Sequence, residues 1–274
     1  MGNSSTLVIE PRKGIAALQL RDLWEYRELL YFLAWRDVKV RYKQTALGAA
    51  WAIIQPFFTM VVFSIFFGKL AKIPSDGLPY PIFSYVALLP WQLFAHSLGC
   101  SSQSLVSEAG LITKVYFPRL IVPIASVLAG LVDFAVAFVI VLLLMVYYGI
   151  TPTLNVIFLP VFTLIAVISA LAGGLWLSAL NVKYRDVRYT LPFLTSFWLF
   201  LSPVAYPLSM IPEQWQWLYG LNPMVGVIEG FRWSLLGSSP PRSAIYVSIL
   251  LAAVLFVGGL YYFRSTERHF ADLV

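Results

Sequence analysis

Six apolar runs, separated by short breaks rich in polar residues, proline or glycine, set the plan of this chain. They cover residues 47–67, 82–102, 120–148, 156–180, 190–205 and 244–263. No ionisable side chain occurs between Lys43 and Lys69, and most of these runs meet the ~20 residues a helix needs to cross ~30 Å of hydrocarbon. The pattern predicts an all-α polytopic membrane protein with six transmembrane helices. The alternating ten-residue strands of an outer-membrane barrel are absent from the pattern. The fifth run is short and is closed by Pro203 and Pro207.

The breaks are as informative as the runs. Residues 1–20 read as a flexible arm, interrupted by Pro11 and Gly14. From Arg21 the periodicity is that of an amphipathic helix, with Leu23, Tyr26, Leu30, Leu33 and Ala34 on one side and Arg21, Glu25, Glu28, Arg36 and Lys39 on the other. Such a helix lies in the membrane interface, and 21–43 is read as one; Asp37 falls on its apolar side. Residues 108–119 form a short polar, structured element between the second and third runs. Residues 206–237 are too interrupted for one span and too apolar for a solvated loop. Two short re-entrant or interfacial helices fit them, and these need protein or a water-filled cavity to shelter their backbone. The transmembrane domain is therefore 44–264, followed by a tail at 265–274.

Charge gives the orientation. Fifteen of the nineteen Lys and Arg fall in segments on the side of the N-terminus, against four at Lys69, Lys72, Arg232 and Arg242 on the other side. An excess of Lys and Arg marks the cytoplasmic side, so both termini are expected inside. The net charge of +6 belongs to the ends of apolar runs, where it sets topology and attracts anionic headgroups, so no nucleic-acid partner is inferred. With 59% hydrophobic and only 12% charged residues, the chain departs from the ~25% charge of soluble domains.

The chemistry in the sequence is sparse. No Gly-x-x-x-x-Gly-Lys-Ser/Thr loop is present, which removes that route to ATP. Cys100 is the single cysteine, and His96 and His269 lie far apart, so no metal site is expected. His96 reads as packed or pore-facing. Asp133 is the one acid deep in a span, and an acid in lipid is a functional suspect by default. With no intramembrane Lys or Arg to partner it, a structural hydrogen-bonding or cavity-facing role is favoured over proton coupling. Ala166, Ala170, Gly174 and Ser178 recur at steps of four, and small residues at that spacing let helices approach closely; packing within the subunit is the expectation. Most Trp and Tyr suit interfacial belts. Trp91, Phe94, Phe197, Trp198, Phe200 and Tyr206 also suit an aromatic-lined carbohydrate conduit.

Four stretches together resemble a known family. They are Arg36 to Thr45 with Leu47-Gly48 and Trp51, then Leu111 to Arg119, then Asn181 to Arg188, and finally Leu221-Asn222-Pro223-Met224 through Glu229-Gly230-Phe231-Arg232. The chain from about residue 20 onward resembles the membrane-spanning subunit of bacterial ATP-binding-cassette polysaccharide exporters, the type-two permeases that include O-antigen exporters. The resemblance implies a transport subunit rather than an enzyme, a homodimer in the inner membrane, and two separate ATPase subunits that bind the ATP and Mg. It implies re-entrant helices on the outer side and a coupling helix at 108–119, with Glu108, Leu111, Lys114, Tyr116, Phe117 and Arg119 facing the ATPase. Its substrate is a glycan on a polyprenyl pyrophosphate. Such a headgroup suits cationic forks, which makes Arg36, Lys39, Arg41 and Lys43 a docking site beside their role in topology. Capsular polysaccharide, teichoic acid or another lipid-linked polymer remains open as cargo.

Overall fold

The computed structural model describes residues 20–43, 48, 50–240, 244–267 and 270. The arm at 1–19, the junction residues 44–47 and 49, Arg242, and tail residues 268, 269 and 271–274 lie outside the described residues.

Helices account for nearly all regular structure, and there is no strand among the described residues. The order is α1 (Leu20–Glu25), α2 (Arg27–Lys43), α3 (Ala50–Phe63) with a π-helical turn at Ser64–Leu70, α4 (Tyr80–Ser107), α5 (Ala109–Ile112) and α6 (Ile121–Tyr148). A 3-10 turn at Leu154–Phe158 leads into α7 (Leu159–Lys183), followed by α8 (Val187–Phe200), α9 (Glu213–Tyr219), α10 (Pro223–Leu236) and α11 (Ala244–Thr266). Local chemistry sets several boundaries. Gly149 ends α6 and Gly237 ends α10, each at a positive φ that a Cβ would strain. Asn222 caps α10, its side chain accepting from the Met224 amide at 3.0 Å.

Four helical stretches are long and apolar enough to cross a membrane: Ala50–Leu70, Ile121–Tyr148, Leu154–Lys183 and Ala244–Thr266. The second and fifth expected spans are not among them, for different reasons. α4 has 28 residues, ~42 Å of helix, but it is diluted by Ser84, Ser97, Ser101, Ser102 and Ser104, all buried. α8 has 14 residues, ~21 Å, and stops at Phe200 rather than 205. Pro203 lacks the amide that would continue it.

α4 is the central helix, with α3, α6, α7, α8 and α10 around it. Its serines explain how. Gly174 of α7 faces Ser101, and Gly130 of α6 faces Ser97, each so closely that an added Cβ would collide. Ala166, Ala170, Gly174 and Ser178 are all buried, so the small-residue stripe packs within the chain as expected.

The bundle has two distinct ends. At the basic end, Leu33 joins Leu105, Ile112, Ile121, Val122, Ala179 and Phe263 in one buried cluster. At the other end, α10 is buried along 12 of its 14 residues and packs on α4, α7 and α11.

Three expectations are corrected here. The helix expected over 21–43 is two helices that meet at Tyr26. α2 also does not lie flat across the bundle end: Leu33 sits with Ile121 and Val122, yet Tyr42 reaches Asp133, ~18 Å further along α6. α2 therefore climbs along α6, leaving Trp24, Tyr31, Phe32 and Trp35 exposed beside it. The helix expected over 108–119 shrinks to Ala109–Ile112, followed by turns. Arg232, counted above only as one of the four charges on the far side, is 2% exposed inside α10. It donates to Glu229 at 2.9 Å and to the Val204 carbonyl at 3.0 Å, with its guanidinium 3.6 Å from the centre of the Phe83 ring.

Candidate functional site

Two open clefts run along one face of the bundle and meet. The first, of about 860 Å³, extends from Glu108 and Ser107 along α4 to His96, with Leu33, Arg36, Asp37 and Arg41 of α2 opposite. The second, of about 480 Å³, continues from His96 and Arg41 between α3, α4, α6 and α8. Arg41, Ala95, His96 and Thr195 belong to both.

The lining follows helical periodicity. Gln92, His96, Cys100, Gln103 and Ser107 form one stripe on α4, at the three- and four-residue steps that put side chains on one helix face. Trp51, Gln55 and Thr59 form a matching stripe on α3. Of these, His96, Cys100 and Trp51 were noted in the sequence, each for a different reason; the stripes themselves, with Gln55, Thr59, Gln92, Gln103 and Ser107, were not. The signal was there: the α4 stripe is two amides, an imidazole, a thiol and a hydroxyl, and the α3 stripe a Trp, an amide and a hydroxyl, each at steps of three or four within an otherwise apolar run.

The charges in the clefts are paired. Arg36 makes a two-pronged contact with Glu108, at 2.5 and 3.1 Å, and also reaches Asp37 at 2.9 Å. Its hydrogen bond to Glu108 leads the effects that hold the Arg36 guanidinium above its ordinary pKa, against the partial cost of burial. Arg41 pairs with Asp133, and the Tyr42 hydroxyl donates to the same carboxylate. Burial first, then that hydrogen bond, pushes the Tyr42 phenol up to about 12, so it stays a donor at neutral pH. His96 lies 3.9 Å from Asp133 and 3.3 Å from the Cys100 sulfur. Asp133 thus has the cationic partner that the sequence reading did not give it, supplied by α2 rather than by another span, and His96 faces the cleft.

The four cations of the expected docking cluster are not arranged as one patch. Arg36 and Arg41 turn into the cleft with acidic partners, while Lys39 and Lys43 are exposed; the Lys39 ammonium lies 5.6 Å from the Trp35 ring centre. The expected conduit residues separate too. Trp91, Phe94 and Trp198 form a mutual aromatic cluster with centroids 5.2–6.4 Å apart. Trp91 edges the second cleft, whereas Phe94 is 1% exposed and is core rather than conduit. Phe197 and Phe200 face outward from α8. Tyr206 donates to the Phe200 carbonyl at 3.1 Å and shares a 2.7 Å hydrogen bond with Tyr219.

The segment 108–119 is anchored at both ends and exposed in the middle. Glu108 is held by Arg36, Phe117 is buried, and Leu111 packs against the buried cluster of the basic end. The backbone amide of Arg119 donates to the Glu267 carboxylate at 3.2 Å, and its side chain reaches the Glu267 carbonyl. Lys114, Val115 and Tyr116 protrude between these anchors.

Residues 28–236 match the ABC-2 type transporter family. An O-antigen export system permease protein, RfbA, of Myxococcus xanthus is 31% identical over 259 residues, covering 93% of this chain and 98% of that protein. Its namesake from Klebsiella pneumoniae is 28% identical over 90% of this chain and 95% of its own length. The polysialic acid transport protein KpsM of Escherichia coli is 26% identical over 85% of this chain and 91% of its own length.

Proposed function

Because this chain belongs to the ABC-2 type transporter family, we propose that it is the permease of an ATP-driven exporter that carries a polyprenyl-pyrophosphate-linked O-antigen across the inner membrane. The observation that carries the cargo is the near end-to-end likeness to an O-antigen export permease. The likeness to polysialic acid transport proteins supports a second reading, capsular polysaccharide.

In this reading α3, α4, α6, α7, α8 and α11 are the six spans, α9 and α10 are re-entrant from the outer side, and the basic end is cytoplasmic. α4 crosses despite its serines because its neighbours, not lipid, surround it. Two copies of the chain pair with two ATPase subunits, which bind ATP and Mg. The ATPase docks on Lys114, Val115 and Tyr116, the outward part of the segment that Glu108, Leu111, Phe117 and Arg119 anchor. Lys39 and Lys43 meet the pyrophosphate first. Arg36 and Arg41 engage it by exchanging Glu108 and Asp133 for phosphate oxygens, a charge-assisted replacement of like geometry. The second cleft offers sugars what they bind: the faces of Trp51 and Trp91 and the polar groups of Gln55, Thr59, Gln92 and Ser196.

The test is reconstitution. The chain is co-purified with its candidate ATPase in lipid vesicles, and ATP hydrolysis is followed with pyrophosphate-linked O-antigen, with lipid-linked polysialic acid, or with neither. Stimulation by the O-antigen lipid is expected. Stimulation by polysialic acid alone moves the cargo to capsule, and a stable complex indifferent to both disproves both cargo readings.

A further inference from the structure

The charges along the two clefts are few, and the signs are unequal. Among the described residues the lining holds two cations, Arg36 and Arg41, against three acids, Asp37, Glu108 and Asp133. A protonated His96 would bring that balance only to zero. Both arginines are also committed, Arg36 to Glu108 and Asp37, and Arg41 to Asp133. Beyond Arg41, His96 and Asp133 the second cleft has no charged side chain among the described residues. The α3 side has none to add, since 44–68 contains no Asp, Glu, Lys, Arg or His. What this part of the cleft presents is Gln55, Thr59, Gln92 and Ser196, with the rings of Trp51 and Trp91. Amide and hydroxyl side chains both donate and accept, so they answer sugar hydroxyls in kind. They do not answer a carboxylate. An anion in a cleft with low-dielectric walls feels like charges almost unscreened, and it loses hydration that only a cation or several aimed donors can replace. The lipid headgroup sharpens the contrast. In the exchange described above its pyrophosphate takes Arg36 and Arg41, which leaves Glu108 and Asp133 without their cations beside the sugars that follow.

We propose that the clefts select an uncharged glycan: the cargo is a polymer of neutral sugars, and a polymer with a carboxylate on each unit, polysialic acid included, is rejected by its charge rather than by its shape. The proposal deepens the exporter reading and rests on it for the passage of glycan along the clefts. Gln55 and Gln92 are the specificity-determining positions. They line the uncharged stretch from α3 and from α4, so a charge placed at either one is met by every sugar that passes.

Three cargos on the same polyprenyl pyrophosphate, alike in length and linkage, test it in the reconstituted complex. One is a hexose polymer, one the corresponding hexuronic acid polymer, and one the methyl ester of the latter, which is bulkier but uncharged. Half-maximal stimulation of ATP hydrolysis by the acid polymer is expected to need at least about tenfold more lipid than by the hexose polymer, the penalty of like charges meeting across an interface. The ester is expected to behave as the hexose polymer does. Gln92→Lys and Gln55→Lys narrow the gap between acid and hexose, and Gln92→Glu widens it. Both cargos are read on one preparation, so a loss of folding lowers both responses and leaves their ratio alone. Equal response to acid and hexose, an ester as poor as the acid, or a ratio that neither lysine moves overturns the proposal. A stable complex that none of the three stimulates overturns the exporter reading instead, and the charge preference is then decided on the purified chain in detergent. There, free hexose oligosaccharides are expected to quench tryptophan fluorescence at lower concentration than hexuronic acid oligosaccharides of equal length, and equal or absent quenching overturns the preference.

Discussion

Arg232 shows how a single side chain can reverse its meaning between sequence and structure. In the sequence it is one cation in an aromatic, glycine-punctuated segment read as short re-entrant or interfacial helices, and it counts only as a charge on the far side. In the fold it is wholly enclosed, neutralised by Glu229, bonded to the carbonyl that follows Pro203, and laid on the Phe83 ring. It ties α10 to α4 and to the chain leaving α8. Replacing it with Met removes the charge and leaves Glu229, whose side chain is 17% exposed, without its partner. Breaking a buried pair from one side costs about 3–5 kcal/mol, so Arg232→Met is expected to lower the unfolding temperature sharply in detergent. An unchanged midpoint disproves the role. The sequence did hold a hint, since Glu229 and Arg232 are the only opposite charges spaced i, i+3 between Glu213 and Arg242. Asp133 offered no such hint, because Arg41 lies 92 positions away and only the climb of α2 along α6 brings them together.

Among the elements, the apolar runs were legible because burial in lipid demands length and hydrophobicity together. The runs at 120–148 and 244–263 correspond closely to α6 and α11. The polar stripe of α4 was less legible. A helix in the middle of a bundle touches other helices rather than lipid, so small and polar residues serve it as well as leucine does. That argument predicts unequal sensitivity on the two sides of the bundle. Gly174→Leu drives a side chain into Ser101 and should cost about 1–3 kcal/mol, the usual range for overpacking. Val254→Leu, on a 58% exposed face of α11, should leave the midpoint unmoved. Thermal unfolding of both variants side by side tests this; equal effects disprove the central placement of α4.

For the whole molecule, the two ends of the bundle set a topology that labelling can read. In a Cys100→Ser background, Lys72→Cys sits between α3 and α4, and Tyr116→Cys sits between α4 and α6. If α3 and α4 both cross, an impermeant maleimide labels Lys72→Cys in cells whose outer membrane has been opened. Tyr116→Cys then reacts only after the inner membrane is opened as well. Equal labelling from one side removes α4 from the spans. The expected orientation rests on the Lys and Arg that accumulate at run ends, and this labelling is its test. The clefts were not, since they arise where stripes on α3 and α4, separately unremarkable, are brought to face one another by α2 and α8.

The grip of Arg119 on Glu267 has a consequence for how the protein is made. The two residues are 148 positions apart, and at ~5–20 residues per second of synthesis the earlier one waits roughly 7–30 s for the later. Throughout that interval the surface at Lys114–Tyr116 has its Glu108 anchor but lacks the one at Arg119. Phe270, packed 5.2 Å from Phe263, arrives later still. If an ATPase subunit docks on Lys114–Tyr116 as proposed above, a nascent chain presents it with an unfinished landing place, and assembly is expected to favour chains whose translation has passed α11.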